Sequence, residues 1–237
     1  MKIKCVWEHN GCDSLLYASG LPGAFARGET KEEAVRKMRH EIVSFFRWRG
    51  DPIPCPMDIE IEITQEKEST LAIRDADSDV IFEEEKAPLT ADEYRALKAL
   101  VLRSAADFQT LYDAIPDKNA SCLPPRRTFY GQVPRTAAEM YAHTKNVNGY
   151  YFGEIGVEAD NTGTIAECRE RGFSLLEKDP NFLSRAVICG SYEEEWSLRK
   201  VLRRFLWHDR IHAKAMYRMA VKTFGVNGAE NVFKFIL

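Results

Sequence analysis

One signature, repeated along the second part of the chain, constrains its fold most: Thr or Ser followed three residues later by Glu, just ahead of a long periodic stretch. Thr90 with Glu93, Thr136 with Glu139, Thr164 with Glu167 and Ser191 with Glu194 all have this form. The hydroxyl accepts from the backbone N–H three residues on while the carboxylate answers back, so each pair predicts a helix start. Pro116, Pro124-Pro125, Asn161-Thr162-Gly163, Pro180 and Gly190 separate the stretches. Residues 89–237 are therefore expected as an all-α four-helix bundle of antiparallel type, with a link over 116–135 long enough for a crossover.

The first 65 residues have a different period. Ile3, Cys5 and Trp7 share one parity near the start and Ile59, Ile61 and Ile63 near the end, as strands do. One helix lies between them. It is predicted to start at Thr30, capped with Glu33, to present Ala34, Met38, Ile42 and Phe45 on one face, and to stop before the three prolines of residues 51–56. The acidic segment 66–88, closing on Ala87-Pro88, reads as a linker with a short strand at Val80 to Phe82. The expected class is α+β in two domains: a small β-β-β-α-β domain over 1–65, the acidic linker over 66–88 and the helical bundle over 89–237.

At 237 residues, 45% hydrophobic and 29% charged, the chain can bury two cores. A net charge of −3 gives no general reason to bind nucleic acid. The amino terminus lacks a basic stretch leading into an apolar run, and no stretch has the roughly 18 apolar residues of a membrane span, so a cytoplasmic location is expected. Cys5, Cys12, Cys55, Cys122, Cys168 and Cys189 form no C-x-x-C pair and are expected to be reduced and mostly packed inside.

In the last predicted helix Val201, Phe205, His208, His212, Ala215 and Met219 recur at spacings of four, three, four, three and four, an inward stripe. Met140, His143, Val147, Tyr150 and Glu154 repeat such a pattern in an earlier helix. Two histidines four apart stand one turn above each other, and a third from a neighbouring helix can complete a triangle of nitrogen ligands with one position left open, as in catalytic zinc sites. His143, His208 and His212 are the candidate metal ligands. The competing reading, ordinary core or surface histidines, loses ground because three of the five histidines share one predicted interior. His9 and His40 read as surface or loop residues.

Arg135-Thr136-Ala137-Ala138-Glu139-Met140-Tyr141-Ala142-His143 with Tyr150-Tyr151, and Leu206-Trp207-His208-Asp209-Arg210-Ile211-His212, resemble the DinB-like superfamily over about residues 88–225. That resemblance implies a four-helix bundle whose three histidines hold a divalent metal, zinc first and nickel or manganese as alternatives. It also implies a metal-dependent thiol transferase, or a related hydrolase or isomerase, acting on a small-molecule thiol or electrophile. Leu21-Pro22-Gly23-Ala24-Phe25-Ala26-Arg27-Gly28-Glu29-Thr30 with Glu32-Glu33-Ala34 is similar to the HicB-like antitoxin fold over about residues 1–65.

Around the expected ion, Tyr150 and Glu154 are candidate catalytic groups, each with the alternative of a plain packing role. Asp209 follows a ligand but points about 100° away from it. Glu139 is a cap or an orienting carboxylate for His143. The basic residues Arg199, Lys200, Arg203, Arg204, Arg210, Lys214, Arg218 and Lys222 read as a solvated helix face, with Arg204 as a candidate for binding an anionic substrate. The alternatives to an enzyme are a non-catalytic metal-containing sensor or interaction module, and an antitoxin-like regulator working through the first domain. No nucleic acid or membrane partner is expected, and a homodimer is compatible with the pattern.

Overall fold

A computed structural model describes residues 1–236 as a mixed α+β chain with five α-helices and a small four-stranded sheet. Two compact units form, one over Met1–Ala87 joined by the chain end from Phe233, the other over Pro88–Val232. Among the described residues no helix is long and apolar enough to cross a membrane.

The first unit holds β1 (Lys2–His9), β2 (Ser14–Ala18), β3 (Phe25–Gly28), α1 (Lys31–Arg49) and β4 (Glu60–Glu68). The sheet order is β3-β2-β1-β4, with β1 antiparallel to β2 and parallel to β4. Thr30 caps α1 by accepting from the Glu33 N–H, while the Glu33 carboxylate takes the N–H of Glu29. Ala34, Met38, Ile42 and Phe45 are all fully buried, as their spacing predicts. The helix ends at Gly50, whose φ of 84° suits a residue without a Cβ.

Segment 66–88 is not a linker. Up to Ala87 it belongs to the first unit, with Ile73, Val80, Ile81 and Phe82 buried. No strand forms at Val80 to Phe82. Instead the Gln65 amide donates to Ile81 O at 2.9 Å and accepts from the Glu83 N–H at 3.0 Å, so one side chain satisfies backbone that a ladder would otherwise take. This strap also explains a failed alternation in β1. Val6 and Glu8 are buried alongside Cys5, because α1 packs on β2 and β3 while the strap covers the face of Tyr17, whose ring lies 5.5 Å from that of Phe82. At the far end of the chain Phe233 stacks on Trp48, with ring centroids 5.6 Å apart, and Ser44 donates to Lys234 O.

The second unit holds α2 (Ala91–Ala114), a two-residue hairpin of β5 (Arg127–Thr128) and β6 (Gly131–Gln132), α3 (Ala137–Gly153), α4 (Ile165–Leu176), a hairpin of β7 (Ile188–Cys189) and β8 (Glu195–Trp196), and α5 (Leu198–Phe224). Helix α5 packs on α2 and α3, and α4 packs on the same two. Reciprocal caps open α2 at Thr90, α3 at Thr136 and α4 at Thr164. The fourth expected start is displaced: Ser191 begins only a short turn, with Tyr192 and Glu193 in left-handed conformations, and the cap of α5 is Ser197, which accepts from Lys200 N–H. Glu194 cannot close a box at Ser191 because its carboxylate is held 2.8 Å from Lys200 Nζ. Helices α3 and α4 approach closely at Gly172, where a Cβ would lie 2.1 Å from the Phe152 ring.

Candidate metal centre

His143 stands on α3, and His208 and His212 on consecutive turns of α5. Their ligand nitrogens all lie within 4.8 Å of one another. Ring centroids are 5.1 Å apart for His143 and His208, 4.5 Å for His143 and His212, and 4.4 Å for His208 and His212. His208 is buried, His212 half-buried and His143 exposed, so the triangle opens toward solvent on the α3 side.

Burial keeps the His208 imidazole uncharged, its pKa pushed well below the usual value, with His212, His143, Arg169 and Arg204 adding to the same direction. Desolvation also lowers His143. Nδ1 of His208 is buried without a hydrogen-bond partner among the described residues. Such an orphan costs about 1–3 kcal/mol in a protein interior. A divalent ion held by that nitrogen would remove the cost: neutral imidazoles are good ligands for zinc and nickel, and three of them on two helices suit a site with an open fourth position.

The remaining candidates do not gather around the triangle. Tyr150 is half-exposed, its ring 5.4 Å from that of Tyr151 and 5.9 Å from that of Trp196, and burial raises its phenol pKa. It lies seven residues beyond His143, about 10 Å along the helix. Glu154 accepts from the Ser191 N–H at 2.8 Å and fills the space a Cβ on Gly190 would need, so it pins the β7–β8 turn. Glu139 takes the N–H groups of Arg135 and Thr136, which hold its carboxyl below the usual range; it is a cap.

Asp209 does point away from the histidines. It is fully buried and meets the guanidinium of Arg169 on α4 at 2.8 Å.

The basic residues of α5 do not share one solvated face. Lys200, Arg203, Arg204 and Arg210 are buried, while Arg218 and Lys222 are exposed. Lys200 donates to Glu195 O and pairs with Glu194, yet burial still brings its pKa down to about 8. The Arg204 guanidinium lies 3.7 Å from the Glu194 carboxylate and over the rings of Trp207, Trp196 and Tyr151. Stacking on aromatic faces and weak hydration make Arg tolerable there.

The aromatic ring that reaches the centre is Tyr151, not Tyr150. It stands edge-on to His208, with centroids 6.0 Å apart and planes at 89°. The inward face of α3 runs through Met140, Thr144, Asn148 and Tyr151. The expected stripe is thus rotated, because Thr144 donates to Met140 O and Asn148 to Asp160 O, and these polar side chains can be buried while Val147 and Tyr150 face outward in part. On α5, Ala213 and Met216 are buried where the stripe expected Ala215.

His9 belongs to the first unit, where it is stacked on Trp7 and lies 3.1 Å from Glu66. All six cysteines are free, but only Cys5 and Cys168 are buried, against the expectation that most pack inside. Compared with protein-family models, curated proteins and solved structures, the chain finds no match.

Proposed function

We propose that this protein binds one divalent metal ion, zinc in the first place and nickel or manganese as alternatives, through His143, His208 and His212, and acts as a metal-dependent thiol transferase of DinB-like type. The single observation that carries the reading is the convergence of three imidazoles from two helices within 4.8 Å, one of them buried with an orphaned Nδ1. When bound, the ion would supply an open position that lowers the pKa of a thiol or water. Tyr151 would shield the inner side of the centre. Three neutral imidazoles would leave the charge of the ion uncompensated, which would favour an anionic ligand such as a carboxylate-bearing thiol. On this reading residues 88–225 are the four-helix bundle of that superfamily, and the first unit, of HicB-like type, is a cytoplasmic binding or oligomerisation module.

His208→Ala should abolish stoichiometric metal binding and thiol transfer while most helicity, read by circular dichroism, is kept. Undiminished metal content by elemental analysis would contradict the assignment. A second reading, a structural or sensing metal without catalysis, is favoured by the other partners of Tyr150 and Glu154, the Trp196 ring for one and the Ser191 N–H for the other. Titration with a chelator separates the two: loss of fold with the metal supports a structural ion, and an intact fold with an exchangeable ion supports the open site.

A further inference from the structure

Arg169 of α4 and Asp209 of α5 form a fully buried ion pair in the second unit. Both side chains are fully buried, with Nη2 of Arg169 2.8 Å from one carboxylate oxygen and Nη1 3.5 Å from the other. The guanidinium also lies 3.7 Å over the ring of Phe205, so Arg169 grips α5 at two points one turn apart. Desolvating such a pair costs several kcal/mol per ion, and well-packed apolar side chains in its place are often as stable or more so. Stability alone is therefore a poor reason for it.

Helix α5 is buried from Lys200 through Asp209 and Arg210, all round its circumference. Such a helix has no solvated face to fix its rotation about its own axis. Asp209 follows His208 directly and projects about 100° from it, so holding this carboxylate against α4 holds the imidazoles of His208 and His212 toward α3. The planar fork of Arg makes that hold directional, which a point charge would not.

We propose that Arg169 and Asp209 are positioning residues for the metal centre, fixing the rotation of α5 so that His208 and His212 converge on His143. This rests on the metal-binding reading above and extends it to two residues that touch neither ion nor substrate. The test is the apolar double variant R169M/D209L, which leaves no buried charge unpaired. It should unfold in urea at a midpoint close to that of the wild type, while Co²⁺ binding weakens by about 10- to 100-fold, the range for groups that orient ligands from outside the coordination sphere. The visible absorption of bound Co²⁺ should change, and a crystal structure of the metal-free variant should show the ligand nitrogens spread beyond their 4.8 Å span. Arg169→Lys, which keeps the charge without the fork, should fall between the two.

Wild-type Co²⁺ affinity and spectrum in a stable double variant would overturn the positioning role and leave the metal reading intact. If the wild type binds no metal, that reading fails, and the nitrogen span in the variant crystal then decides: a retained span overturns the positioning role, a widened one supports it. Should the double variant not fold, Arg169→Lys decides by the same affinity and spectrum.

Discussion

Glu8 is a residue whose surroundings oppose its charge. It sits fully buried on β1, accepts from Ser78 Oγ at 2.5 Å and Tyr17 Oη at 3.4 Å, and lies beside Asp79, which is itself paired with Lys67 at 2.6 Å. Burial, reinforced by the Asp79 charge, raises its pKa above the ordinary 4.5. A carboxyl raised in the folded state binds its proton more tightly there than in the unfolded chain. Its contribution is complete below the unfolded value and is lost as pH rises through the folded one. Glu8→Gln should therefore be more stable than the wild type at pH 7, with the difference shrinking toward pH 4, as read by urea unfolding at both pH values. A difference independent of pH would mean that Glu8 is ionised in the fold without penalty. None of this was legible in the sequence, because it depends on a strap that composition marks as a linker. The three histidines were legible, since His208 and His212 carry their own helical spacing and need only one partner from another helix.

At the level of elements, local chemistry was readable where it is self-contained and failed where a distant partner competes. The boxes at Thr90, Thr136 and Thr164 close within four residues, and the helices begin there. The Ser191 signature is the same on paper, but Glu194 is drawn to Lys200 and Arg204, and the start shifts to Ser197. Ser197→Ala should cost about 0.5–2 kcal/mol of the stability of the second unit, as other lost caps do. Ser191→Ala should stay within about 0.5 kcal/mol of the wild type, because the bond to Glu154 comes from the backbone N–H. Denaturant midpoints of the two variants check this, and equal losses would contradict it. The phase of α3 was misread for a related reason: the Thr144 hydroxyl and the Asn148 amide N–H find backbone carbonyls, and these residues take core positions that hydrophobic periodicity gives to Val147 and Tyr150.

Across the whole molecule, the first unit draws on both ends of the chain. Phe233 is buried against Trp48 and Phe235 although it follows the entire helical unit. Phe233→Ala should lower the stability of the first unit by about 3–5 kcal/mol, as other buried Phe truncations do. Hydrogen exchange in α1 reads that loss, and unchanged protection there would contradict the packing. Sequence gave no sign of this long-range closure, because a short apolar tail has no periodicity to assign it to either core. The meeting of α3 and α5 at the histidines is the feature on which the functional account stands. X-ray absorption on protein loaded with zinc tests it most directly. One ion per chain with three imidazole nitrogens at about 2.0–2.1 Å is expected, falling to two in His143→Ala. Zinc bound without three imidazoles, or with an imidazole count that the His143 substitution leaves unchanged, would contradict it.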